Sequence, residues 1–98
     1  MAHRSELPIP KPALQDESAR ELVRVWAAAG AQQVTLATGL WKDPAAWGIV
    51  LVDLARHVAR AYEQVEGIPQ AEVLARVREG FEAEWGHPTD APKGTILR

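Results

Sequence analysis

The chain has 98 residues, no cysteine and a formal net charge of −2 from 11 basic and 13 acidic residues. A chain of this size ordinarily forms one domain, and without cysteine it has no disulfide, thiol nucleophile or thiolate metal site. Charges of both signs are interleaved and the longest apolar run, residues 45–52, is far shorter than the about 20 residues of a membrane span; we therefore expect a cytoplasmic protein that binds neither nucleic acid nor membranes.

Residues 1–18 are predicted to form an N-terminal arm. Pro8, Pro10 and Pro12 fix the backbone φ angle and lack amide donors. A segment with proline at every second position cannot join the interior of a sheet. We therefore expect an extended arm.

Two segments with period-two alternation predict a β-hairpin. They are residues 21–27 and 33–38, and Ala29-Gly30 lies between them. With these two residues at the turn, Val25 lies opposite Val34, and Val23 lies opposite Leu36, on one apolar face. The other face mixes Leu22 and Trp26 with polar residues, and such a face is often covered by another segment. Alanine is a poor residue for the positive φ of a type I′ turn, so the turn type is left open.

Two helices are predicted after the hairpin. Asp43-Pro44 has the residues favoured at the N-cap and first position of a helix that runs to about Glu66. Gly67 is suited to end it, and Pro69 to begin a second helix that Gly86 ends. The sequence therefore predicts an α+β fold of ββαα order, in which an antiparallel hairpin packs against two helices.

The tail, residues 87–98, is predicted to be irregular, although residues 95–97 have the composition of a short third strand. The domain organisation expected from these patterns is an arm at 1–18, a single α+β domain at 19–86 and this tail.

The first helix has an apolar arc wider than the roughly 100° needed to pack on one surface. Gly48 and Gly80, inside the two helices, suggest close packing of a neighbouring element. A two-stranded sheet is also marginal in isolation, and pairing of edges across a two-fold axis would give four strands. We expect a homodimer; the open alternative is that the arm or residues 95–97 supply the missing cover.

Several sequence phrases together resemble a family of short bacterial proteins, about 100 residues long, known only as a domain of unknown function. The resemblance spans most of the chain, and it implies no activity, cofactor or site residue. The phrases are Leu7-Pro8-Ile9-Pro10, Arg24-Val25-Trp26, Asp43-Pro44-Ala45-Ala46-Trp47-Gly48, Asp53-Leu54-Ala55-Arg56-His57-Val58-Ala59 and His87-Pro88-Thr89-Asp90.

The candidate binding site is a polar stripe on the first helix. Asp53 and His57 are spaced i,i+4 and could share a proton or ligand, and Arg56 and Arg60 could hold an anion. A solvated helix face ordinarily contains the same mixture of charges. Neither a metal ligand set nor a nucleophile motif or phosphate loop accompanies the stripe, so no metal, cofactor or catalytic residue is expected.

Four tryptophans are a large number for a small chain. They suit a core of large side chains, and they are also enriched in interface hot spots. We therefore select Leu22, Trp26 and Trp41 as candidate interface residues. The sequence favours a non-catalytic, self-associating binding or structural module that engages a protein partner; the alternative is a small-molecule or anion binder that uses the polar stripe.

Overall fold

The computed structural model describes residues 2–89 and 94–97, and it confirms the predicted ββαα order. The chain divides into two compact units. The sheet unit contains the arm and the strands, and the helix unit runs from Gly39 through the two long helices. The elements are α1 (Lys11–Leu14), β1 (Val23–Ala28), β2 (Ala31–Ala37), α2 (Ala45–Glu66), α3 (Gln70–Gly86) and β3 (Gly94–Leu97).

The arm is not extended throughout, which corrects the sequence prediction. Residues Lys11–Leu14 form the helical turn α1, in which the amides of Ala13 and Leu14 donate to the carbonyl of Pro10 at 2.9 and 3.2 Å. Pro12 is tolerated there because the first turn of a helix needs no amide donor from it, and its fixed φ suits a helix.

The hairpin has the predicted register. Val23 pairs with Leu36 and Val25 with Val34 in an antiparallel ladder. Both turn residues have positive φ, 53° at Ala29 and 73° at Gly30. This is the signature of a type I′ turn, whose twist matches that of the flanking strands. Ala29 therefore occupies a left-handed conformation that disfavours a Cβ atom.

Replacing Ala29 with asparagine is expected to stabilise the protein by about 0.5–1 kcal/mol, because Asn-Gly is the preferred type I′ pair and asparagine tolerates the left-handed region. Urea unfolding measures the change. Ala28→Asn is the matched control, since Ala28 lies in β1, where asparagine is disfavoured. Equal or lower stability of the Ala29 variant would contradict the turn assignment.

A third strand completes the sheet. β3 pairs in parallel with β2, with Val34 beside Gly94 and Ala37 beside Leu97. The strand order is β1-β2-β3. β2 is therefore the central strand, and the edge of the hairpin that remains unpaired in the described sheet belongs to β1.

The start of α2 follows the predicted capping pattern. The carboxylate of Asp43 accepts a hydrogen bond from the Ala45 amide at 3.0 Å. Pro44 already has helical angles, φ −58° and ψ −19°. Asp43 therefore caps the helix while Pro44 fills a position whose amide would have no partner.

The connection between α2 and α3 is also locally specified. Gly67 ends α2 with φ 72°, and its amide donates to the carbonyl of Glu63 at 3.0 Å. The Glu63 carboxylate accepts from the side-chain amide of Gln70 at 2.9 Å, and more weakly from its backbone amide at 3.4 Å. A carboxylate of α2 therefore lies at the positive end of α3, where negative charge is favoured.

The hydrophobic core of the described residues is very small. Only Ala59 and Val73 are classed as buried among them, with exposed fractions of 0% and 6%, and they lie on the two contacting helices α2 and α3. A Cβ atom added at Gly48 or Gly80 would meet no atom within 4 Å. Close packing within the described chain therefore does not explain these glycines, contrary to the sequence prediction.

Candidate functional site

The polar stripe on α2 is fully on the surface. Asp53, Arg56, His57 and Arg60 are all exposed. Nε2 of His57 lies 3.4 Å from Oδ2 of Asp53, and their side chains are 64% and 71% exposed. Such an i,i+4 pair contributes a few tenths of a kcal/mol to a helix. The geometry matches the predicted spacing, and it adds no enclosure that would hold a small molecule.

The described part of the chain also contains no group of three or more residues suited to hold a metal ion. None of its helices is long and apolar enough to cross a membrane. The features of the structure that suggest binding are therefore apolar surfaces, one in each unit.

In the sheet unit, the arm and β1 line a half-open groove of about 680 Å³, here named the arm groove. Its walls are mainly apolar side chains of the arm together with residues of β1. The principal lining residues are Leu7, Pro8, Ile9, Leu14, Val23, Val25 and Trp26. A concave apolar surface with a few polar groups is the usual form of a binding site.

An ion-pair cluster holds the arm beside β1. The guanidinium of Arg24 donates to Glu6 of the arm at 2.9 Å and to Glu21 at 3.0 Å. The hydrogen bond and charge of Glu21, together with the charge of Glu6, raise the pKa of Arg24. Arg24 therefore links two segments that are 18 residues apart in sequence.

Trp26 provides the second contact between the arm and β1. Its ring meets that of His3 edge to face, with centroids 5.0 Å apart. Leu22 and Trp26 are half-buried, whereas Val25 on the opposite face is 51% exposed. The arm therefore covers the mixed face of the hairpin, which is the cover within one chain that the sequence left open as the alternative to a homodimer. The roles of Glu6 and His3 were missed; the mixture of Leu22 and Trp26 with polar residues was the available signal.

Glu6→Gln is expected to loosen the arm. The substitution removes the charge that pairs with Arg24, so the amides of Ser5 and Glu6, which now donate to His3 at 3.0 and 2.9 Å, should exchange with solvent about two- to fivefold faster. Hydrogen exchange measures this change. Glu82→Gln, which breaks the Arg78–Glu82 pair on α3, should leave arm exchange unaltered; an equal effect of both variants would contradict the role of Glu6.

In the helix unit, α2 carries two neighbouring apolar stripes, each with alternating spacings of three and four residues. The inner stripe contains the buried Ala59, and the outer stripe is displaced from it by one residue. The inner stripe is Gly48, Val52, Ala55, Ala59 and Tyr62. The outer stripe is Trp47, Leu51, Leu54, Val58, Ala61 and Val65. Alternating three- and four-residue spacing is the pattern of a helix that packs along another helix.

Much of the outer stripe is exposed, although Trp47 and Val58 are half-buried. Leu51 is 50% exposed, Leu54 53% and Val65 81%. At the N-terminal end of this stripe, the rings of Trp41 and Trp47 meet edge to face with centroids 5.3 Å apart. The candidate interface residue Trp41 therefore extends the apolar surface that the outer stripe begins.

A family model described as "Domain of unknown function (DUF5076)" matches residues 6–89. No curated protein matches. A solved structure described as that of a "putative pyruvate dehydrogenase" from the photosynthetic bacterium Rhodopseudomonas palustrus CGA009 has 33% sequence identity and a TM-score of 0.74, over 100% of both chains.

Proposed function

The chain belongs to the DUF5076 family, and we propose that it is a non-catalytic module that self-associates as a homodimer through the outer stripe of α2. The observation that carries this proposal is the exposure of large apolar side chains at helix-packing spacing. Val65, at 81% exposure, is the extreme case. The chain contains no cysteine, which suits a reducing compartment, and we place the module in the cytoplasm.

Exposure of this kind is energetically unfavourable in a monomer. Complete burial of a leucine or valine side chain contributes about 1.5–3 kcal/mol of stabilising free energy. Each half-exposed leucine of the outer stripe therefore lacks about 1 kcal/mol of this contribution. Isolated exposed apolar residues are common and need no explanation. A continuous stripe of them, next to a core of two buried residues among those described, marks an interaction surface.

A second copy is the occupant that the stripe itself favours. Its larger side chains, Trp47, Leu51 and Leu54, precede its smaller ones, Val58, Ala61 and Val65. An antiparallel two-fold pairing of α2 with α2 of another copy places Trp47 opposite Val65, Leu51 opposite Ala61 and Leu54 opposite Val58. Large residues then meet small ones along the whole contact, which is what close packing requires.

Charge does not oppose this association. The net charge is only −2, so two copies repel each other weakly. The ionisable side chains of the polar stripe lie on another side of α2 and can stay in water when the outer stripe is covered. Such a partition of one helix into polar and apolar sides is typical of helices in bundles.

Two other activities have weaker support. Anion binding by Asp53, Arg56, His57 and Arg60 remains a prediction for which exposure gives no added support. The activity named for the Rhodopseudomonas structure is that of the other protein, and we do not extend it to this chain.

Native mass spectrometry of the protein isolated gently from its own cells, with sedimentation over a concentration series, tests the proposal. A mass of two chains with nothing added is expected. A single-chain mass at high concentration would overturn self-association. A one-chain mass that carries another protein or a small molecule would overturn it as well and identify the actual partner.

A further inference from the structure

We propose that the open edge of β1 pairs, antiparallel and across a two-fold axis centred on Val25, with β1 of another copy. This inference rests on the proposed self-association, and it identifies the strand of the sheet that contacts the second copy. It follows from the strand order, the hydrogen-bond parity of the hairpin and the contacts of the arm.

The strand order identifies the edge. A hairpin has two edges, and β3 occupies that of β2 through the pairs from Val34–Gly94 to Ala37–Leu97. The open edge of the described hairpin is therefore that of β1. Two such edges joined across a two-fold axis give one continuous sheet of six strands, counting three from each copy.

The alternation of backbone hydrogen bonds along the hairpin identifies the backbone groups that point to that edge. The amide of Ala37 donates to the carbonyl of Leu22 at 3.0 Å, so this pair is hydrogen-bonded. Backbone groups alternate along an antiparallel ladder. Those of Arg24 and Trp26 therefore point toward β2, and those of Val23, Val25 and Ala27 point to the open edge.

The arm makes no backbone hydrogen bond to these edge groups. Its ion pair and ring contact are with Arg24 and Trp26, by side chains. No backbone hydrogen bond joins the arm to β1 within the described ranges 2–89 and 94–97. The arm also lines the groove beside Val23 and Val25, so pairing at this edge requires the arm to move aside.

β1 also lacks the features that normally protect an edge strand. Such edges are commonly blocked by proline, lysine or an inward-pointing charge. β1 contains no proline or lysine, and its charged residue, Arg24, is engaged by Glu6 and Glu21. Val25 is 51% exposed, and it also lines the arm groove.

Charge and side-chain size favour one register. A two-fold centred on Arg24 would place two guanidinium groups directly opposite each other, which is unfavourable. Centred on Val25, the pairing puts Val25 opposite Val25 of the second copy, Val23 opposite Ala27, and Arg24 opposite Trp26. The last pair brings a cation to an indole ring, an attractive combination.

The lack of cysteine permits a direct test by thiol cross-linking. In a hydrogen-bonded pair the Cα atoms lie about 5.5 Å apart, and the Cβ atoms lie farther apart than the about 4.5 Å upper limit of a disulfide. A short bismaleimide is therefore used in place of oxidation. Val25→Cys should form a covalent dimer with this reagent. Val23→Cys should remain mostly monomeric under denaturing electrophoresis, and a mixture of Val23→Cys and Ala27→Cys chains should form the mixed adduct.

The outcomes separate this inference from the proposed function. Failure of Val25→Cys to cross-link, in a protein that circular dichroism shows to be folded and sedimentation shows to be dimeric, would overturn only the β1 pairing. Equal cross-linking of Val23→Cys and Val25→Cys would overturn the register. A monomeric wild-type protein would overturn both proposals, and a different polypeptide bound at this edge would overturn the second copy as its occupant.

Discussion

Leu54→Asp is expected to convert the dimer to monomers, with a dissociation constant at least about 100-fold higher. Leu54 lies at the middle of the outer stripe and is 53% exposed in the isolated chain. In the proposed dimer its replacement would place a carboxylate in an apolar contact, and burial of an unpaired charge costs several kcal/mol. Sedimentation equilibrium over a concentration series measures the change.

Ile49→Asp is the matched control for this substitution. Ile49 lies on the same helix and is even more exposed, at 73%, yet it belongs to neither apolar stripe and sits on the side of the polar residues. An apolar-to-aspartate change there should leave the dissociation constant within about twofold, since substitutions at such surface positions usually change stability by less than 0.5 kcal/mol. If the two variants dissociated equally, or neither did, the outer stripe would not be the interface.

The features that the sequence predicted correctly are those with local causes. The alternation of apolar and polar residues places Val23 and Val25 on the same face of the strand. A turn at Ala29-Gly30 then determines the hairpin register. The helix boundaries likewise depend on adjacent residues, namely the Asp43 carboxylate and the left-handed conformation available at Gly67. Each of these signals acts over four residues or fewer, or through one short turn.

The features that escaped prediction depend on distant segments. Glu6 reaches Arg24 across 18 residues, and nothing in the periodicity of the arm identifies that partner. Lys11–Leu14 is helical although proline at alternate positions favours extension. These contacts depend on where the arm folds back on the hairpin, which local propensity does not specify.

The division of α2 into two stripes shows the same limit. The sequence showed an apolar arc too wide for one contact, but the inner and outer stripes are displaced by a single residue. Both have the spacing of a packing helix. Burial of Ala59 identifies the stripe that contacts α3, although Val52 and Tyr62 of that stripe are 53% and 47% exposed. The other stripe, which contains Leu54, is the one that we propose a second copy covers.

Ala59→Leu is expected to destabilise the protein by about 1–3 kcal/mol, the usual cost of inserting a larger side chain into a packed contact. Ala59 is 0% exposed, and the two helices meet where it and Val73 lie. A leucine there must separate the helices or adopt an unfavourable rotamer. Urea unfolding at a protein concentration that keeps the association state constant measures the loss.

Ala83→Leu provides the control, because Ala83 is an exposed position of α3 and both residues are strong helix formers. Its stability should match that of the wild type within about 0.5 kcal/mol. The expected difference between the two leucines isolates the α2–α3 contact from helix propensity. A fully stable Ala59→Leu protein would mean that the α2–α3 contact at Ala59 is not tightly packed, and the assignment of Ala59 and Val73 as the packed contact of the two helices would then fail.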